Sequence, residues 1–213
     1  MMKRMLNLLT GLLVFSVAQA SDSLKTVLFF HSGISTFRVD ALNSAFVQEG
    51  VPAVVSPVHL GGGIGLLVGL NKIYLETKIS RGSGLTKGSV NTNGTSVSLG
   101  LNYAFLNKNK LQLLGGINWS SSTWTLTVSY DNLPPHKPNR VFVLNSSTFY
   151  GLFNHITPSI TLLYNLSHNF VVGLQLGYDF TYKYNWTYPN APRQDFFQYF
   201  PQGLTVRLIL GNK

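Results

Sequence analysis

The chain has 213 residues, no cysteine, 16 basic and 7 acidic side chains, and a formal charge of +9. The length suits one domain or two small ones, and the lack of cysteine excludes a disulfide framework, a thiolate nucleophile and any Cys-bearing zinc or iron–sulfur site. Charged residues make up 11% of the chain, against about 25% in ordinary soluble domains, so a disordered chain is excluded by hydrophobicity and a conventional soluble surface by the scarcity of charge.

The chain opens with a targeting pattern. Lys3 and Arg4 precede an apolar run over 5–17, and Ala18-Gln19-Ala20 forms a small-x-small cleavage site. Residues 1–20 are therefore expected to be a cleaved signal peptide and 21–213 the mature domain. Its loss leaves 14 basic and 7 acidic residues, a charge of +7. No later run is long and apolar enough for a transmembrane helix.

Beyond it the pattern is period two, the spacing of a strand with two unlike faces. In the first strand Leu28, Phe30 and Ile34 oppose His31, Gly33 and Ser35. Next, Val58, Leu60, Ile64, Leu66, Val68 and Leu70 oppose His59, Gly61, Gly63, Gly65 and Gly69, with Leu67 breaking the rule. After Asn71-Lys72, Ile73, Leu75, Thr77 and Ile79 alternate with Tyr74, Glu76, Lys78 and Ser80. Then Val97, Leu99, Leu101, Tyr103 and Phe105 oppose Ser96, Ser98, Gly100, Asn102 and Ala104, and Leu111, Leu113, Ile117 and Trp119 oppose Gln112, Gly116, Asn118 and Ser120. Ser120-Ser121-Ser122 breaks that parity and predicts a bulge. Two further strands set Tyr150, Leu152, Ile156, Ile160, Leu162 and Tyr164 against Gly151, His155, Thr157, Ser159 and Thr161, and Phe170, Val172, Leu174, Leu176, Tyr178 and Phe180 against Gly173, Gln175, Gly177, Asp179 and Thr181. The last sets Leu204, Val206, Leu208 and Leu210 against Gly203, Thr205, Arg207 and Ile209.

Eight such segments alternate with short turns near 71, 107–110 and 167–169 and with long loops near 38–57, 82–94, 129–147 and 183–202. That asymmetry predicts an all-β fold, an eight-stranded antiparallel up-and-down transmembrane β-barrel with short periplasmic turns and long extracellular loops. A soluble lipocalin-type barrel would turn the apolar face inward and leave a Gly/Ser/Asn face in water, where glycine packs nothing. The reverse suits a narrow barrel in lipid. Tyr103, Phe105, Tyr164 and Phe170 at the short turns, and Trp119, Trp124, Tyr182, Tyr184 and Trp186 toward the long loops, would form two interfacial girdles.

These features resemble the small eight-stranded outer-membrane proteins of the outer membrane protein A, X and W type, over the whole mature chain. The segments HSGISTFRVDALNSAF and PQGLTVRLILG resemble small barrels of Bacteroidetes-type bacteria. The chain departs from many proteobacterial members in ending Gly211-Asn212-Lys213 rather than on an aromatic residue. The resemblance implies an integral protein of the bacterial outer membrane, monomeric, with lipid, lipopolysaccharide and the barrel-assembly machinery as partners, and with neither cofactor, metal nor nucleic acid. Family members are membrane stabilisers, adhesins, small hydrophobic transporters and, in a few cases, lipid-modifying enzymes, so fold does not select function.

Parity places His31, His59, Glu76, Lys78, His155, Asp179 and Arg207 in the interior, where charge is costly unless paired or wet. The expectation is a polar network that plugs the barrel, with Arg207 paired to Glu76 or Asp179; a gated ion path through the same groups is the sharper alternative. His155, Thr157 and Ser159 share one strand face, but no carboxylate completes a nucleophilic site. The histidines lack metal-ligand spacing. Five N-x-S/T sequons, at Asn93, Asn118, Asn145, Asn165 and Asn185, read as turn and strand composition.

Basic residues gather at the two ends. Lys72, Lys108, Lys110 and Lys213 lie on the short-turn side, and Arg38, Arg81, Lys87, Lys137, Arg140 and Arg193 in or beside the long loops, either as a solvated rim or as a surface for lipopolysaccharide phosphates. Alternation resumes at Trp124, Leu126, Val128 and Tyr130 and at Val141 and Val143, a hairpin expected to stand above the membrane. Tyr188, Phe196, Phe197, Tyr199 and Phe200 in the last loop form either a cap or a pocket for a small apolar ligand. The function expected is non-enzymatic, envelope-stabilising or surface-binding; the alternatives are passive uptake of a small hydrophobic compound and a lipid-modifying enzyme.

Overall fold

The computed structural model describes residues 24–40, 43–44, 47, 55–85, 90–108, 110–129, 146–187 and 202–213. The expected signal peptide, the outer part of the hairpin (130–145), Lys87, Arg193 and the last-loop residues Tyr188, Phe196, Phe197, Tyr199 and Phe200 lie outside them. Eight strands run β1 Leu24–Thr36, β2 Val58–Leu70, β3 Ile73–Gly84, β4 Val90–Lys108, β5 Leu111–Ser129, β6 Ser146–Asn165, β7 Phe170–Thr187 and β8 Gly203–Asn212. Each pairs antiparallel with the next and β1 pairs with β8, which closes the barrel and leaves no free sheet edge around its circumference.

The short turns have local causes. Asn71 takes the left-handed conformation (φ 57°), which asparagine tolerates better than most residues, so β2 reverses into β3 within two residues. The Ser167 side chain accepts the Phe170 N–H at 3.1 Å and closes the β6–β7 turn. The Lys213 N–H donates to Asn169 O at 3.0 Å, which ties the C-terminus to the same end.

The outer face is apolar on every strand. Phe30, Ile64, Ile79, Leu101, Ile117, Ile160, Leu174 and Leu208 are all exposed, one from each strand in order. A continuous band of this kind far exceeds the apolar patches of soluble monomers. The closed ladders beneath it pair the backbone from strand to strand around the circumference, as hydrocarbon requires. The chain therefore spans a membrane with its strands. Tyr103, Phe105, Tyr164 and Phe170 ring the short-turn end, and Trp119, Tyr150, Phe180, Tyr182 and Tyr184 point outward at the other.

Three details differ from the sequence expectation. Residues 82–94 are not a long loop: Gly82 pairs with Gly94 in the β3–β4 ladder, and only 85–89 connect the strands. The serine run 120–122 is not a bulge: β5 pairs without interruption, and Ser122, Leu126 and Val128 are all buried on its inward face. What changes there is the chemistry of the faces, because past Ser120 the apolar residues move inside. Trp124 is consequently inward rather than part of the girdle, packed edge-on against Phe37 and His59 with ring centres 5.1 and 5.0 Å apart. The true register shifts lie at Phe105 in β4 and Tyr182 in β7, each skipped by its neighbour.

Inside, large side chains lie over glycines on the facing strand. Phe29 covers its cross-strand partner Gly65, Tyr74 covers Gly69, and Asn118 covers Gly100; a Cβ at any of these glycines would meet the covering side chain. At the short-turn end Val27, Phe29, Leu67, Tyr74, Ala104, Leu114, Leu163, Val171 and Ile209 form an apolar core within the barrel. Inward polar residues lie above it. Both faces can be tested by substitution. Leu174→Arg places a charge on the lipid face at mid-belt and should cost about 2–4 kcal/mol in denaturant unfolding from lipid vesicles. Gly65→Leu drives into the Phe29 ring and should cost about 1–3 kcal/mol in the same measurement, with Leu66→Ala on the outward face of β2 as the comparison.

Candidate functional site

All seven interior ionisable residues named from parity lie on inward-facing positions. They do not form one network but lie at different heights. The lowest set surrounds Gln175. Lys78 Nζ is 2.7 Å from Glu76 Oε1, and both side chains are almost wholly buried. Alternate residues of β3 share a face, so an acid and a base two apart meet without a turn. Asn102 donates to Glu76 Oε2 at 3.1 Å from β4. Gln175 on β7 then joins the strands: its Oε1 accepts from Lys78 Nζ at 3.0 Å and from Arg207 at 3.3 Å, and its Nε2 donates to Thr161 at 3.0 Å and more weakly to Glu76 at 3.4 Å.

Arg207 differs from expectation. It reaches Gln175 rather than Glu76 or Asp179, because Gln175 is its direct cross-strand partner whereas Asp179 pairs with Gly203, two inward positions nearer the long loops. Asp179 instead accepts from Thr157 at 2.5 Å. That contact sits where the β6–β7 ladder is interrupted between Ile156/Phe180 and Ser159/Gly177, at Pro158, which has no N–H to donate. Among the described residues the one ion pair is Lys78–Glu76.

The histidines stand apart from one another. His31 Nε2 lies 3.2 Å from Ser80 Oγ across Gly63. His155 is held on both nitrogens, Nε2 at 2.7 Å from Ser122 Oγ and Nδ1 at 2.8 Å from Thr181 Oγ1. His59 lies against the Phe37 ring, centres 4.2 Å apart, near the long-loop end. His155 and Ser159, which share a face, do not meet: Ser159 Oγ accepts from Asn118 at 3.0 Å. No group of three metal-ligating residues occurs among the described residues.

Between the Gln175 layer and the Phe37–His59–Trp124 cluster lies a cavity of about 90 Å³. Its walls come from all eight strands and are mostly serine, threonine and glycine, with Lys78, Arg207, Asp179, His31 and His155 facing it. Sequence parity identified the charged residues but missed Gln175 as their hub. It also missed Ser122 and Thr181, which orient His155. Gln175 had a discernible signal, since it shares an inward strand face with Asp179 and the next strand carries Arg207.

No protein-family model and no curated protein matches the chain. Among solved structures it is similar to a major outer membrane protein from Thermus thermophilus, with a TM-score of 0.51 at 10% identity over 88% of this chain and 98% of that one. It is also similar to the N-terminal β-barrel domain of Pseudomonas aeruginosa OprF, with a TM-score of 0.47 at 13% identity over 88% and 96%, and to Neisserial surface protein A, 0.46 at 11% over 89% and 94%. The Thermus likeness is one of fold alone.

Proposed function

We propose that the chain is an integral protein of the bacterial outer membrane that works without catalysis, as an envelope-stabilising or surface-binding barrel. The observation that carries this reading is the filled interior. An apolar core lies at the short-turn end, and the Glu76–Lys78–Gln175–Arg207 layer lies directly above it. A barrel stoppered in this way contributes a rigid wall and a set of loops, not a pore. The export pattern at residues 1–20 and the apolar outer belt support the location.

Passive uptake of a hydrophobic compound fits less well, because the one sizeable cavity among the described residues is lined by hydroxyls and charge. A lipid-modifying role fits poorly too, since His155 and Ser122 face the interior and not the belt. Lipopolysaccharide is the partner best matched to Arg38 and Arg81, both exposed on the long-loop side. The barrel-assembly machinery is the partner that inserts such a fold, and the closed sheet is compatible with a monomer.

Planar-bilayer recording of the mature chain tests the stoppered interior: a membrane without steady open-pore current is expected, and a stable conductance in every insertion would contradict it. Deletion of the gene should raise sensitivity of the cells to detergent, and unchanged sensitivity would remove the envelope-stabilising half of the proposal. The plug itself is tested by thermal unfolding in detergent. Glu76→Gln strands Lys78 in the interior and should cost about 3–5 kcal/mol, with part of the loss recovered in the Glu76→Gln, Lys78→Met double variant. Asp179→Asn, only half-buried and bound to a neutral hydroxyl, should cost clearly less than Glu76→Gln.

A further inference from the structure

Arg207 is a cation without a direct ion pair. Among the described residues no carboxylate lies within 4.0 Å of it, and its contact with Gln175 Oε1 is shared with Lys78. Glu76 is already committed to Lys78 at 2.7 Å. Two cations therefore converge on one neutral oxygen with one acid between them. Arg207 is half-buried inside a narrow barrel and faces a polar cavity, so water screens its charge only in part. The guanidinium carries five N–H donors, and it faces the cavity of about 90 Å³ above the layer. His31 lines the same cavity and is only 5% exposed.

We propose that this cavity holds a small monovalent anion, of halide or one-carbon carboxylate size, as the counter-ion of Arg207. The volume suits it: the space is several times what one water needs, so it admits such an ion together with waters. Arg207 supplies charge-assisted hydrogen bonds, and Arg81 at the exposed wall draws anions toward the cavity. Asp179 opposes the anion. It faces the same cavity, is anchored to Thr157 and lies within 4.0 Å of no cation among the described residues. It therefore holds the ion to the Arg207 side and weakens its binding.

The test uses the full mature chain in detergent, with chloride titrated against the far bulkier anion gluconate at constant ionic strength. The unfolding temperature should rise with chloride, and above the dissociation constant it should climb with the logarithm of chloride concentration, as ligand linkage requires; it should not rise with gluconate. Arg207→Gln should abolish the chloride-specific rise, Asp179→Asn should begin to rise at lower chloride, and Lys108→Gln at the short-turn end should respond as the unmodified chain does. Equal responses to the two salts, or a full chloride response in Arg207→Gln, would overturn the proposal. Should Arg207→Gln fail to fold, crystals of the unmodified chain grown in bromide decide the matter: anomalous scattering beside Arg207 supports the site, and bromide confined to the outer surface rejects it.

Discussion

An eight-stranded barrel leaves an interior about one layer of side chains wide, and the rest of the structure follows from that limit. Several of the large inward residues are seated where the facing strand offers a glycine. Phe29 over Gly65, Tyr74 over Gly69 and Asn118 over Gly100 are three such cases, and each pair is fixed by the antiparallel register. The glycines that look like an undefended strand face are thus the seats of the core. Because register slips by one residue exchange the faces, the same pairs resist misalignment: a slipped Phe29 would point into lipid and leave Gly65 facing a void.

Narrowness also governs the charges. Glu76 and Lys78 are tolerated at depth because each lies within hydrogen-bonding distance of the other and of a further amide, from Asn102 or Gln175. Gln175 suits the centre of that layer since an amide both donates and accepts. A carboxylate in its place would crowd Glu76, and a basic residue would crowd Lys78. A neutral hub lets the layer span β3, β7 and β8 without another ion, and it leaves Arg207 facing the cavity.

Much of this is legible in the sequence. Period two assigns each strand its inward and outward faces, and the faces inferred for Glu76, Lys78, Asp179 and Arg207 are those the structure has. The misses share a cause: alternation reports which face a residue is on, not what surrounds that face. Leu126 and Val128 on β5 continue the parity of Gln112 and Asn118, yet apolar residues beyond Ser120 mimic a change of register, when the change is from lipid to the space above it. Trp124 looks like a girdle residue for the same reason. The stretch 82–94 reads as a loop because Gly82, Ser83 and Gly94 carry turn composition, although they pair across a ladder. Height is the other gap. Charge alone matches Arg207 to acids, whereas the register sets it opposite Gln175.

The central claim is that the apolar residues of every strand face lipid while the polar residues close the interior. A chain without cysteine allows this to be read directly, by introducing single cysteines along β3 and β5, attaching a nitroxide and measuring collision with oxygen in lipid vesicles. The account predicts high oxygen accessibility at Ile73, Leu75, Thr77 and Ile79 and low accessibility at Tyr74, Glu76 and Lys78. On β5 the same odd-numbered face should stay outward through Thr123, with Trp124 inside. Accessibility that peaked at the even positions of β3, or that changed parity at Ser121, would contradict it.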